Sequence, residues 1–301
     1  MPEWSNIMGN LRALWRGGVE RLGQLRREWK RGLLVLAIFA GLYALGALMP
    51  PGYDWRNFFS RGSFAPYFMP WTQPIVGLFN WPLLFAVSVL ALVWRSYRYH
   101  ASPLTLALIV GSLPTIWVLL FLSNIDGLTL FGLMILPWGV PLVLLKPQVA
   151  AFALLANRRW ILALILWGIV SLLIWGWWPA RLGLMMNDPQ WHSDWPQDIA
   201  LFPWGLLIAL PLLWFSRGDE DLLMAAGSLG TPHLFPYHFI VLMPALARMR
   251  RPWVILTWVL TWLPLSANWL GPIGWHFGNL ASLAFWFGIY LNKTHSRESQ
   301  G

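Results

Sequence analysis

The chain has 301 residues, of which 57% are hydrophobic and 11% charged, with 24 tryptophans, no cysteine and a formal net charge of +9. That balance excludes an ordinary soluble domain and points to a helical membrane protein. The missing cysteine excludes disulfides, thiolate catalysis and cysteine metal sites. The positive charge falls in short clusters between apolar runs, which is a topology pattern, so nucleic acid is not an expected partner.

The first element is residues 4–29. Trp4, Met8, Leu11, Trp15, Leu22, Leu25 and Trp29 recur at spacings of three and four, with Gly18 in the gap, and Arg12, Arg16, Arg21, Arg26, Arg27 and Lys30 form the polar side. This pattern predicts a basic amphipathic helix lying on lipids of the anionic cytoplasmic leaflet. A seam for a protein partner is the competing reading. The domain division that follows is an interfacial helix over 1–31, a transmembrane domain over 32–291 and a cytoplasmic tail over 292–301.

Apolar runs over 32–49, 75–94 and 103–122 read as spans. The stretch 123–160 does not. It is broken at Pro137-Trp138-Gly139 and at Pro147, and it carries Lys146 inside Leu145-Lys146-Pro147-Gln148. Its apolar pieces are too short to cross a bilayer, which takes ~20 helical residues. Broken backbone at membrane depth survives only against protein or a water-filled cavity, and a lysine there needs an anion or water. The reading is a re-entrant or broken-helix element lining a polar cavity; a lysine snorkelling from a span end is the alternative. Spans at 160–178 and 199–215 flank a polar loop with Arg181, Asp188, His192, Asp194 and Asp198. A second broken element, 221–247, surrounds Thr231-Pro232-His233 and Pro236-Tyr237-His238. Two last spans, 252–267 and 274–291, complete an all-α polytopic protein with about eight full spans, two broken or re-entrant helix pairs and the N-terminal amphipathic helix.

Basic residues at 95–100, 158–159, 217, 248–251 and 293–297 belong on the cytoplasmic side by the positive-inside rule. Both termini are then cytoplasmic. Asp54, Asp126, Lys146, His192, Asp194, His233 and His238 fall on the other side. Asp126 before Gly127 reads as the cap of the following helix. His233 and His238 are five apart, and hydrogen-bonded interfacial histidines are the preferred reading over a metal pair.

Asp54 just after the first span, the stretch Pro66-Tyr67 to Trp81-Pro82, the Asn124-Ile125-Asp126-Gly127 turn, Leu145-Lys146-Pro147-Gln148 before Arg158-Arg159-Trp160, and the 231–238 turn together resemble polytopic glycosyltransferases of the GT-C architecture. The closest group is glycosyltransferase family 87, the polyprenyl-phosphate-mannose-dependent mannosyltransferases. The resemblance spans roughly 33–251, on a chain shorter than is usual there. It implies a bacterial inner-membrane enzyme moving a sugar from a polyprenyl-phosphate donor to an acceptor on the non-cytoplasmic face, with the lipid-linked sugar as substrate and no cofactor. It implies Asp54 as catalytic base and Lys146, with Arg56 and Arg61, on the donor phosphate. Asn124, Asp126, Gln148, His233, Tyr237 and His238 would line the site, with no metal ligand among them. A non-catalytic membrane subunit keeping the same frame is the alternative, and a transporter the third.

Overall fold

The computed structural model describes residues 29–30, 32–61, 68–180 and 195–298. The amphipathic pattern over 4–29, Pro66-Tyr67, and the loop positions Arg181, Asp188, His192 and Asp194 lie outside them. Among the described residues every regular element is helical.

The expected eight spans give way to far fewer. Among the described residues two helices, Arg158–Trp175 and Arg251–Leu270, are long and apolar enough to cross a membrane, or three if the bent pair Pro103–Val110 and Leu113–Leu122 counts as one. Proline and polar caps account for part of the difference, while Gly32–Leu48 is an apolar helix that is only a little short of a full crossing. The run at 75–94 is cut: the short helix Thr72–Val76 ends at Gly77, and Trp81–Arg98 restarts at Asn80, whose side chain accepts from the Leu83 N–H at 2.9 Å, with Pro82 in the first turn. Pro at that position loses no helical hydrogen bond, because the first N–H groups have no partner anyway. The run at 103–122 bends by 53° where Ser112 caps a new helix ahead of Pro114. Of 199–215 only Leu206–Phe215 is helical, and 274–291 is displaced into Asn279–Glu298, which carries Lys293.

The two broken stretches form the centre. From 123 the chain runs through Asp126–Met134, Val140–Val143, Pro147–Ala150 and the 3-10 turn Ala151–Ala156. The second comprises Glu220–Ser228 and the 3-10 segments Pro236–Val241 and Met243–Arg248. Both are largely buried, whereas Arg158–Trp175 exposes Leu162, Ile165, Leu166, Ile169 and Leu173. Short helices cannot satisfy their own ends, so they belong inside protein, and the uninterrupted apolar helix is left for lipid.

Close backbone approach locks the centre. Helix 126–134 packs on helix 81–98 through Gly127, where an added Cβ would land on Ser88, 2.9 Å from its Cα. No rotamer of Ser88 relieves contact with a backbone atom. Gly127→Ala is therefore expected to destabilise the protein by about 1–3 kcal/mol or more, the usual cost of overpacking. A shift in the detergent-solubilised melting temperature checks this, and an unchanged value would contradict the close packing.

At the far end of helix 81–98, about 21 Å along the axis from Trp81 to Arg95 at ~1.5 Å per residue, lies an ion cluster. Arg95 binds Glu220 at 2.9 Å and Asp221 at 3.0 Å. Arg248 binds Asp219 at 2.6 Å and Asp221 at 2.5 Å, and Lys293 binds Asp219 at 3.1 Å. Both guanidinium groups also lie over the Tyr99 ring. Three basic stretches far apart in sequence thus meet on one acidic run, Asp219-Glu220-Asp221. Burial opposes ionisation of Asp219, yet its bonds to Arg248 and Lys293 hold it at about 2.

Candidate functional site

Asp54 enters the site on a tightly packed turn. The Gly52 N–H donates to Ser123 Oγ at 2.5 Å, and a Cβ on Gly52 would lie 2.5 Å from the Phe121 carbonyl oxygen. Ser123 sits at φ 54°, in the left-handed region, which turns the chain out of the π-helical segment Trp117–Leu122. A second π-helical segment, Trp55–Phe59, follows Asp54. Such segments concentrate at functional sites.

That turn presents Asn124 to Asp54. Asn124 Oδ1 accepts the Ile125 N–H at 2.6 Å, so Nδ2 is the end that donates to Asp54 Oδ2, at 2.5 Å. The backbone bond therefore fixes which way the amide faces. Burial raises the Asp54 carboxyl to about 6, against the opposing pull of Lys146 and of the Asn124 hydrogen bond. A carboxylate in that range ionises near neutral pH and accepts a proton more readily than an exposed aspartate does.

Lys146 precedes Pro147 at the start of Pro147–Ala150 and is 9% exposed. Its Nζ lies 5.0 Å from the Phe68 ring centre and 5.6 Å from that of Tyr237. Two ring faces attract an ammonium but leave its hydrogen-bonding capacity unspent. Among the described residues no carboxylate oxygen lies within 4.0 Å of it.

Asp54 and Lys146 line a single cavity of about 390 Å³. Its other walls come from the second broken element, through Thr231, His233 and Tyr237, and from the aromatic rings of Phe58, Phe152 and Trp195. Gln148 also lines it, with Oε1 buried and unpartnered among the described residues. The volume is within the ~300–1,000 Å³ common for small-ligand sites, and an apolar wall with a few convergent polar groups is the usual composition.

The remaining predicted residues lie elsewhere. Arg56 and Arg61 are exposed and are not among the cavity walls. The helical turn that points Asp54 inward carries Arg56 outward two residues later. Asn124, Asp126 and His238 stand behind the wall. Asn124 reaches the cavity through Asp54. His238 Nδ1 accepts the Phe235 N–H at 3.2 Å, while its Nε2 is buried without a partner among the described residues. Asp126 is not a helix cap, contrary to the sequence reading. Ile125 occupies the cap position, and Asp126 falls one residue inside, 1% exposed and with Oδ2 unpartnered among the described residues. The Asn124 side chain already takes the Ile125 N–H, which shifts the helix start by one residue.

One pair beside the cavity escaped sequence analysis. His233 Nδ1 lies 2.6 Å from Asp198 Oδ2, across 35 positions of chain. No spacing rule links a loop aspartate to a turn histidine at that separation. Among the described residues no three His, Asp or Glu side chains gather as a metal site would require.

No family model, curated protein or solved structure matches this chain. The functional reading therefore stands on the site's own geometry.

Proposed function

We propose that the protein is a membrane glycosyltransferase that moves a sugar from a polyprenyl-phosphate donor to an acceptor hydroxyl. One observation carries the reading: an oriented carboxylate with a raised proton affinity, Asp54, shares an apolar cavity with a lysine that has aromatic neighbours and, among the described residues, no carboxylate within 4.0 Å. In the reaction the acceptor O–H gives its proton to Asp54. The acceptor oxygen bonds to the anomeric carbon as the bond to the phosphate oxygen breaks, and the electron pair leaves on that oxygen. Lys146 is the countercharge for the departing phosphate, a fixed cation where negative charge develops. The aromatic walls suit a lipid-linked substrate.

The non-catalytic subunit reading would be favoured by a cavity filled with side chains; this one is open. Lys146→Ala tests the proposal. It is expected to weaken binding of a polyprenyl phosphate in nanodiscs by about tenfold or more, the worth of one charge-assisted hydrogen bond, while Lys146→Arg recovers part of the loss. Equal affinity for wild type and Lys146→Ala would remove the phosphate from this cavity.

A further inference from the structure

We propose that Gln148 and Thr231 form a sugar-binding subsite of the cavity, in which two neutral side chains hydrogen-bond hydroxyls of the transferred hexose while its ring rests on Phe152. The inference rests on the glycosyl-transfer reading above and adds to it the groups that recognise the sugar, as distinct from those that handle charge.

Both polar side chains reach the cavity without a protein partner. Gln148 lines it with Oε1 buried, and among the described residues neither end of its amide makes a hydrogen bond. Thr231 is 6% exposed and lines the same cavity from the second broken element, and its hydroxyl makes none either. Buried polar groups are almost always hydrogen-bonded, and one left unsatisfied is costly. The unpartnered atoms of Asp126 and His238 stand behind the wall. A ligand in the cavity therefore meets Gln148 and Thr231, and it can supply what the protein does not.

The chemistry of the pair selects that ligand. A carboxamide and a hydroxyl carry no charge, and each both donates and accepts. A sugar hydroxyl also does both, whereas phosphate oxygens only accept. With no protein group fixing it, the amide can turn either end to the ligand. A site whose polar groups would be left unpaired rejects a ligand that lacks the matching hydroxyl.

Local winding adds a surface for the ring. Gln148, Ala151 and Phe152 are spaced i, i+3 and i+4 through Pro147–Ala150 and Ala151–Ala156, so they share one face, and all three line the cavity. The small Ala151 leaves room between amide and ring. Gly227 stands behind the ring, where an added Cβ would strike Phe152 at Cγ, Cδ1 and Cδ2. The helix Glu220–Ser228 thus backs the Phe152 ring, which offers an apolar surface to the C–H groups of a pyranose. Lys146 precedes this face by two residues, so the phosphate and the sugar of one donor meet consecutive stretches of the same wall.

The test compares two singly charged diesters of one polyprenyl phosphate, a methyl and a hexosyl diester, binding to the full chain in nanodiscs. The hexosyl series is glucose, mannose and galactose, and the ratio of hexosyl to methyl affinity is the sugar's own contribution. For at least one hexose the wild type is expected to favour the hexosyl diester by about tenfold or more, the worth of two neutral hydrogen bonds. Gln148→Leu and Thr231→Val should each lower that ratio by about three- to tenfold, the range for one such bond, with methyl-diester affinity nearly unchanged. Lys146→Ala should weaken both diesters equally and keep the ratio. The methyl diester therefore shows that each variant is folded and that its phosphate site is intact. The subsite is overturned if no hexose improves on methyl, if either variant leaves the ratio unchanged, or if either weakens both diesters alike. A wild type that binds neither diester removes the donor reading itself, a result separate from those three.

Discussion

Asp54→Asn is expected to lower sugar transfer by about 10²–10⁴-fold, the usual contribution of a positioned general base, while leaving donor affinity nearly intact. The amide matches the carboxylate in size and still meets Asn124, but it cannot take the acceptor's proton. Rate and binding should therefore separate, which loss of folding would not produce. The pH profile supplies an independent check. Asp54 must be ionised to act, and its carboxyl lies at about 6. Turnover should then be level above that value and fall about tenfold per pH unit below it. A rate with no break between about pH 5 and 7 would exclude Asp54 as the base. The same shift has a stability consequence of fixed sign. A carboxyl raised from 3.8 to about 6 on folding favours the fold in its protonated form. That contribution is full below about 4 and disappears as the pH climbs through 6. Asp54→Asn should accordingly be more stable than the parent at neutral pH, while being far less active.

Asp221→Ala should produce the largest loss of stability, about 3–5 kcal/mol. Asp221 is fully buried and bonds to two guanidinium groups, Arg95 and Arg248, from different parts of the chain. Its removal leaves both cations short of a partner where water cannot replace it. Glu220→Ala is the control. Glu220 contacts the same Arg95, but its side chain is 25% exposed, and exposed pairs contribute about 0–1 kcal/mol. Denaturant unfolding of the two variants in matched micelles should separate them clearly, and equal losses would show that burial does not govern the cluster. Asp219 adds an acid limit. Held at about 2, it contributes in full above its unfolded value near 4, and its share is lost as the pH falls towards 2.

The sequence made the two ionisable residues of the cavity more legible than the membrane crossings. A lysine beside a proline in an apolar stretch is costly enough to demand a cavity, and Lys146 lines one. Asp54 stood out through its place just after the first apolar run in the pattern that resembles the GT-C enzymes. The span count was misread in part because window hydropathy ignores caps. Asn80 and Ser112 each restart a helix inside an apolar run, and the prolines at 82 and 114 fit the new first turn. Arg56 and Arg61 were placed with Lys146 on the donor phosphate, but both are exposed: Arg56 faces away from Asp54 on the same turn, and Arg61 lies beyond the end of Trp55–Phe59. The Asp198–His233 pair and the acidic run at 219–221 depend on contacts between distant segments, which carry no local signature.

The π-wound segments beside Asp54 and Asn124 set how this region tolerates changes in chain length. A π turn holds one residue more than an α turn. Losing any one residue from Trp117–Leu122 would let that segment relax to ordinary α winding, with every side chain up to Leu122 still on an apolar surface. The direction in which the chain leaves the segment would change little, because the residue lost is the extra one that the π turn holds. An added residue has no such outlet and would rotate the exit by about 100°, one residue's worth of helical phase, swinging Asn124 away from Asp54 although neither residue of the pair had been altered. A single-codon insertion within these six residues is thus expected to disturb the carboxylate's environment, whereas a single-codon deletion there is expected to be far better tolerated.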